Sequence, residues 1–234
     1  MADIDLRLGD WRSALAHVGE VDALVTDPPY CARTHAKHNA RTASRGSSYD
    51  GADRQRLSYA HWTPEDVAEF VTHWAPRCRG WMCAMTSADL ALVYRDAYEA
   101  AGLCSFAPVG VYQHRPRLSG DGPGSCLVYL MVARPRTAKF ARWGSLPGLY
   151  QSACDHTGIV AGGKPIELMR AIVRDYSRPG DLVCDPCAGG GSTLIAAATE
   201  GRRALGAELN AATYGLAQAR IGRGYTPVFG AFAE

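Results

Sequence analysis

Two stretches of the 234-residue chain combine residue types at spacings that could do chemistry. The first is Asp27-Pro28-Pro29-Tyr30, which ends the apolar run Val21–Thr26. That run reads as a buried parallel strand. The two prolines fix φ near about −65° twice and remove two N–H donors, so the local carbonyls have no turn partner. The strand end then offers a carboxylate on Asp27, the Pro28 carbonyl and the Tyr30 ring. A flat ring with an exocyclic amino group suits this set: its N–H bonds go to Asp27 and Pro28, and its face stacks on Tyr30. A bare strand-terminating turn would use the same residue types.

The second stretch is Leu182-Val183-Cys184-Asp185-Pro186-Cys187-Ala188-Gly189-Gly190-Gly191-Ser192-Thr193. It reads as a strand, a glycine turn and the start of a helix over 192–200. Consecutive glycines let the backbone approach a bound cofactor, and a helix N-terminus favours an anionic group. The next strand, Arg203–Leu209, carries Glu208, 19 residues beyond Gly189. An acid in that place suits ribose hydroxyls. A glycine loop alone leaves a dinucleotide enzyme open, although Leu194 stands where a third fingerprint glycine would be. Cys184 and Cys187 form a C-x-x-C without a second pair at ribbon spacing, so no metal site is expected.

These strands need neighbours. Ile4–Asp10 alternates like a strand, and Trp11–Val18 follows with a helical turn or two. Thr63-Pro64-Glu65-Asp66 has the cap, proline and acids of a helix start, with Val67, Phe70, Val71 and Trp74 as its apolar face. Strands are expected over 80–86, 104–112 and 126–133. A helix is expected over 89–101, ended by Gly102, and another from Lys164 to Tyr176. Open α/β sheets bind ligands outside the carboxyl ends of their strands, where both stretches would sit.

Between these elements lie polar, basic segments. Residues 31–61 hold Arg33, Lys37, Arg41, Arg45, Arg54 and Arg56 against Asp50 and Asp53. A second run, 114–124, is glycine-rich and holds Arg115 and Arg117. A third, 134–163, mixes Arg136 and Lys139 with Phe140, Trp143 and Tyr150. Cations with interleaved aromatic plates suit a nucleic-acid surface, and solvated loops are the plainer reading.

Composition bounds the rest. Hydrophobic residues make up 47%, enough for a large core in one domain. No apolar window is long enough for a membrane span, and the acidic start does not read as a signal peptide. The eight cysteines are scattered in apolar runs, which suggests reduced thiols and a cytoplasmic setting.

With both stretches in view, the chain resembles the permuted, beta-group amino DNA methyltransferases that use S-adenosylmethionine. Asp27–Tyr30 matches the family's Asp-Pro-Pro-Tyr motif. Residues Asp185–Thr193 match its Asp-Pro-Phe-x-Gly-x-Gly-Thr-Thr motif, with Cys187 for Phe and Ser192 for the first Thr. Lys164-Pro165-Ile166-Glu167-Leu168 matches its Lys-Pro-x-x-Leu element, and Gly9-Asp10 its early strand end. The catalytic motif precedes the cofactor motif, as in that group.

The resemblance implies a Rossmann-like α/β fold, with a seven-stranded, mostly parallel sheet and helices on both faces. It implies one domain over 1–234, with basic loops at about 31–61 and 114–125 and a short target-recognition segment at about 134–163. Asp27, Pro28, Pro29 and Tyr30 would be catalytic. Asp10, Asp27, Lys164, Asp185, Pro186, Ala188, Gly189, Gly190, Gly191, Ser192, Thr193, Glu208 and Asn210 would hold the cofactor. Double-stranded DNA with a flipped base would be the substrate. Adenine N6 is favoured by Asp over Ser at the first motif position, with cytosine N4 as the alternative. An RNA or protein amino-methyltransferase and a silent DNA-binding subunit are the other readings. A homodimer and a cognate restriction endonuclease are expected partners.

Overall fold

A computed structural model describes residues 3–36, 59–119, 122–138, 144–152, 160 and 162–224. The strands are β1 (Ile4–Leu8), β2 (Ala23–Thr26), β3 (Met82–Thr86), β4 (Leu103–Ser105), β5 (Val109–Ser119), β6 (Gly122–Pro135), β7 (Leu149–Ser152), β8 (Leu182–Asp185) and β9 (Arg203–Glu208). The helices are α1 (Trp11–Ala14), α2 (Pro64–Trp74), α3 (Ala88–Ala100), α4 (Ile166–Tyr176), α5 (Ser192–Thr199) and α6 (Ala211–Arg223).

All nine strands join one sheet in the order β1-β9-β8-β2-β3-β6-β5-β7, with β4 also pairing with β6. The half containing β1, β9, β8, β2 and β3 is parallel throughout. Strands β2 and β3 are buried at every position, as expected of central parallel strands covered on both faces. One face packs α4 and α5 through Ile166, Leu168, Ile172, Leu194 and Ile195. The other packs α1, α2 and α3 through Trp11, Phe70, Trp74, Leu90 and Tyr94.

Helix α2 forms as its residues predict. Thr63 and Asp66 make a reciprocal capping box, Pro64 opens the first turn, and Val67, Phe70, Val71 and Trp74 are buried. Burying each such side chain contributes about 1.5–3 kcal/mol.

Among the described residues the sheet has nine strands rather than the expected seven. The expected strand over 104–112 is two, because Phe106-Ala107-Pro108 breaks it and Pro108 has no N–H for a ladder. The 14-residue β6 pairs with both pieces in turn. The expected loop at 114–125 consists mainly of the arms of the β5–β6 hairpin, bent by register shifts between Tyr112 and Ser119. Strand β7 lies in the 134–163 stretch expected to be irregular, and it pairs in parallel with β5. It is short and partly polar, so alternation does not mark it. Tyr150, read as a surface plate, is buried there and donates to Asp175 Oδ2 at 2.6 Å.

These registers set the placement of the site. Thr26 is level with Ala84, and Thr86 is level with Tyr129. Residues 122–128 of β6, with their β5 partners, therefore run beyond the carboxyl ends of β2 and β3. The overhang is roughly 20 Å at extended-strand rise. The other end of β6, at Pro135, pairs with Leu103 on the opposite edge of the sheet.

Candidate active site

Residues 182–185 and 23–26 lie side by side, with Ala23 paired to Val183 and Leu24 to Cys184. From β8 the chain winds toward β9, and from β2 it winds toward β3. The two chemical stretches thus flank a topological switch point, the usual ligand crevice of an open α/β sheet.

At the end of β2, Asp27 lies beside the Tyr30 ring. The Tyr30 hydroxyl donates to Asp27 Oδ1 at 2.9 Å. Lys164, just before α4, donates its ammonium to Asp27 Oδ2. The same Nζ lies 3.3 Å from the Gly162 carbonyl and 5.3 Å from the centre of the Tyr30 ring. Pro28 is buried, and no backbone N–H among the described residues reaches its carbonyl. The Tyr30 carbonyl accepts from the Trp62 N–H at 3.0 Å, which anchors the loop.

Across the switch point, Asp185 is buried and turned inward. Its Oδ1 accepts from Thr26 Oγ1 at 2.7 Å and from the Cys187 N–H at 3.1 Å. Burial pushes its carboxyl up to about 6, against the hydrogen bonds from Thr193, Thr26 and Cys187. Asp185 therefore ties the end of β2 to the start of the glycine turn. Cys187 follows Pro186 in this turn, and burial pushes the Cys184 and Cys187 thiols up, away from the thiolate a metal or redox site needs.

The turn Ala188-Gly189-Gly190-Gly191 is held from below by Ala188 N–H to the Ala207 carbonyl, 2.8 Å. Gly191 is the N-cap of α5 with φ +77°, a left-handed conformation that glycine takes without strain. Ser192 and Thr193 open the helix. Beside Gly189 there is open space where a side chain would begin. Glu208 accepts from the Gly189 N–H at 2.9 Å and from the Asn210 N–H at 2.7 Å. Burial raises its carboxyl above the usual range against those two bonds.

Two further expected residues act as helix caps at the same edge. Asn210 caps α6 by accepting from the Thr213 N–H, and Asp10 caps α1 by accepting from the Arg12 N–H. Asp10 also pairs with Arg12.

The expected basic residues separate into groups. Arg33 pairs with Asp89 at the start of α3, and Cys31 donates to the same carboxylate. Arg115 and Arg117 lie on the overhanging arm of β5. Arg136 follows β6 at the opposite edge of the sheet, so it is not on the face that carries Asp27. Lys37, Arg41, Arg45, Arg54, Arg56 and Lys139 lie outside the described residues.

Sequence reasoning missed two contributors, Thr26 and Arg220. Thr26 reads only as strand. Lys164, expected at the cofactor together with Asp27, has its ammonium on Asp27. Arg220 was not singled out; its Nη1 donates to the Gly190 carbonyl and to Ser192 Oγ, both at 3.0 Å. The period of α6 is the missing signal, since Ala217 and Ile221 of the same helix also face Gly191.

Comparison with known proteins finds the same fold. A DNA methylase family model matches residues 150–219. The Type II methyltransferase M.MthZI of Methanothermobacter thermautotrophicus is 38% identical over 81 residues, which are 34% of this chain and 22% of that protein. The match thus spans about a fifth of the length of that curated relative. The solved structure of the M1.HpyAVI–SAM complex superposes with a TM-score of 0.67 at 17% identity, over 93% of this chain and 98% of the other. The PvuII DNA methyltransferase, a cytosine-N4-specific enzyme, superposes with a TM-score of 0.65 at 13% identity, over 94% and 87%. In overall fold, and by sequence in its C-terminal segment, this chain is similar to the DNA amino-methyltransferases: it has their Rossmann-like methyltransferase fold, with the Asp-Pro-Pro-Tyr loop and the glycine turn on adjacent strands.

Proposed function

We propose that this chain is an S-adenosylmethionine-dependent DNA methyltransferase of the permuted beta group, acting on adenine N6. The observation that carries the reading is the adjacency of β2 and β8. It sets a carboxylate, a proline carbonyl and an aromatic plate one strand away from a glycine turn backed by an acid.

The residues present fit the cofactor. Gly189 offers open backbone, Ser192 and Thr193 begin a helix, and Glu208 faces the turn with spare lone pairs for ribose hydroxyls. S-adenosylmethionine supplies an electrophilic methyl on a sulfonium. The target amino lone pair is delocalised into its ring and is a weak nucleophile. Acceptors at Asp27 and the Pro28 carbonyl favour a tetrahedral nitrogen over the planar ground state, which is differential binding of the transition state. Tyr30 holds the ring plane, and its hydroxyl fixes the Asp27 carboxylate. Asp27 is the nearest acceptor for the proton released from nitrogen. The base must leave the duplex to reach this crevice. The β5–β6 arm, with Arg115 and Arg117, overhangs the same edge and suits contact with the DNA backbone.

Cytosine N4 is the second reading, favoured by the fold shared with the cytosine-N4-specific PvuII enzyme. One experiment separates the two. Unmethylated DNA is incubated with labelled S-adenosylmethionine, digested to nucleosides and analysed by mass spectrometry, with Asp27→Ala in parallel. N6-methyladenine absent from the Asp27→Ala reaction supports the proposal. N4-methylcytosine changes the base. No label in DNA rejects the DNA methyltransferase reading.

A further inference from the structure

Lys164 lies in the crevice in a manner the proposed chemistry does not require. Its ammonium donates to Asp27 Oδ2 and lies 3.3 Å from the Gly162 carbonyl. It also sits 5.3 Å from the centre of the Tyr30 ring. Tyr30 takes the other Asp27 oxygen, so both carboxylate oxygens are engaged. The Lys164 side chain is 9% exposed, so it is packed into the site rather than hanging at its mouth.

These contacts imitate a target amino group. An exocyclic amine lying over the Tyr30 plate would bring N–H donors to the Asp27 carboxylate. The Lys164 ammonium brings N–H donors to that carboxylate over that plate. We infer that Lys164 is the resting occupant of the target-amino subsite, and that it must swing out before a base can stack on Tyr30. The inference rests on the proposed function, because it identifies the subsite by the amino group that reaction needs.

The surrounding chain suits a displaceable occupant. The lysine charge is carried on a flexible four-carbon stem, and Lys164 follows Gly162 and Gly163, ahead of the rigid start of α4 at Pro165. The contact also filters what can enter. A base with an exocyclic amine returns an N–H donor to Asp27 when the ammonium leaves. A base without one leaves Asp27 Oδ2 facing the pocket without a donor, which is strongly disfavoured. Lys164 therefore acts as a specificity-determining residue, at a cost in apparent affinity for every target.

Two measurements test this. The first is steady-state methyl transfer to unmethylated plasmid DNA by the wild type and by Lys164→Met, which keeps most of the apolar stem. Removing the occupant is expected to lower KM for DNA by about tenfold and to raise kcat/KM, because a site that is mostly closed weakens apparent binding by its open fraction. The second is NMR of the wild-type protein with 15N-labelled lysine. The Lys164 ammonium signal, assigned by its loss in Lys164→Met, is expected to shift when DNA and a non-transferable cofactor analogue are added together.

A Lys164→Met enzyme with lowered kcat and unchanged KM would overturn the inference, since Lys164 would then act in the transition state. A Lys164 signal unmoved by DNA would also overturn it, and needs no variant that folds beyond the assignment. Wild-type protein that transfers no methyl to DNA overturns the proposed function, and this inference with it. Transfer by the wild type together with either of the first two results overturns this inference alone.

Discussion

Thr26 Oγ1 donates to Asp185 Oδ1 across 2.7 Å, joining two residues 159 positions apart. This buried bond runs from the last residue before Asp27 to the last residue of β8. Through it, and through the Cys187 N–H on the same oxygen, one carboxyl group fixes the relative position of the two loops.

The same carboxyl should leave a mark on stability. Burial raises Asp185 to about 6 in the folded chain from the ordinary 3.8. Between these values the folded state holds the proton more tightly than the unfolded state. The contribution to stability is full below the ordinary value and is lost as pH rises through about 6. The loss amounts to about 3 kcal/mol. Asp185→Asn keeps an oxygen for Thr26 and Cys187 but has nothing to titrate. Urea unfolding of both proteins across this window should show the wild type losing stability relative to the variant as pH rises, with the difference constant above about pH 7.

Glu208→Gln should weaken cofactor binding more than it weakens the fold. The two carboxylate oxygens accept from the N–H groups of Gly189 and Asn210. A Gln must turn its amide nitrogen toward one of these donors, which leaves that N–H unpaired and loosens the turn. Titration calorimetry with S-adenosylmethionine should show affinity lower by roughly ten- to a hundredfold, from about 1–3 kcal/mol lost when the ribose hydroxyls exchange a charged acceptor for an amide.

Gly191→Ala isolates backbone strain. A methyl group there would meet Ala217 and Ile221 at 3.6 Å, an ordinary contact, so crowding is not the obstacle. The obstacle is φ of +77°, which costs an L-residue about 1–2 kcal/mol. Thermal unfolding should drop by about 2–8 °C.

Charge removal should matter at one end of the long hairpin strands and not at the other. Replacing Arg115 and Arg117 with Ala on the overhanging arm should weaken DNA binding and reduce the salt slope by about two. Arg136→Ala, at the far edge, should leave both quantities as they were. Fluorescence anisotropy with labelled duplex across a salt series measures both.

Much of this site was legible because its signals are local. Asp27-Pro28-Pro29-Tyr30 needs only a strand that stops at prolines. The glycine turn and Glu208 need only a strand, a turn and an acid 19 residues on. What was not legible depends on distant partners. The contact of Lys164 with Asp27 spans 137 positions, and no local pattern marks it. The burial of Tyr150 depends on Asp175 and on pairing of a four-residue strand with β5. The hairpin over 109–135 was obscured by glycine, proline and arginine, which favour a loop locally. Pairing along the long β6 overrides that preference, and bulges absorb the misfit.

The order of strands also bears on how the protein is made. Strand β8 inserts between β2 and β9, and among the described residues β9 alone joins β1 to the sheet. During synthesis β1 and β2 emerge well before β9 and β8, the strands that pair with them on this side of the sheet. Until then the nascent chain has an open β2 edge, a template for wrong pairing. Closure must bring together ends more than 150 residues apart, a topology that folds slowly and favours chaperone protection. A chain cut short before residue 182 would carry its Asp-Pro-Pro-Tyr loop but lack the two strands that lie between β1 and β2.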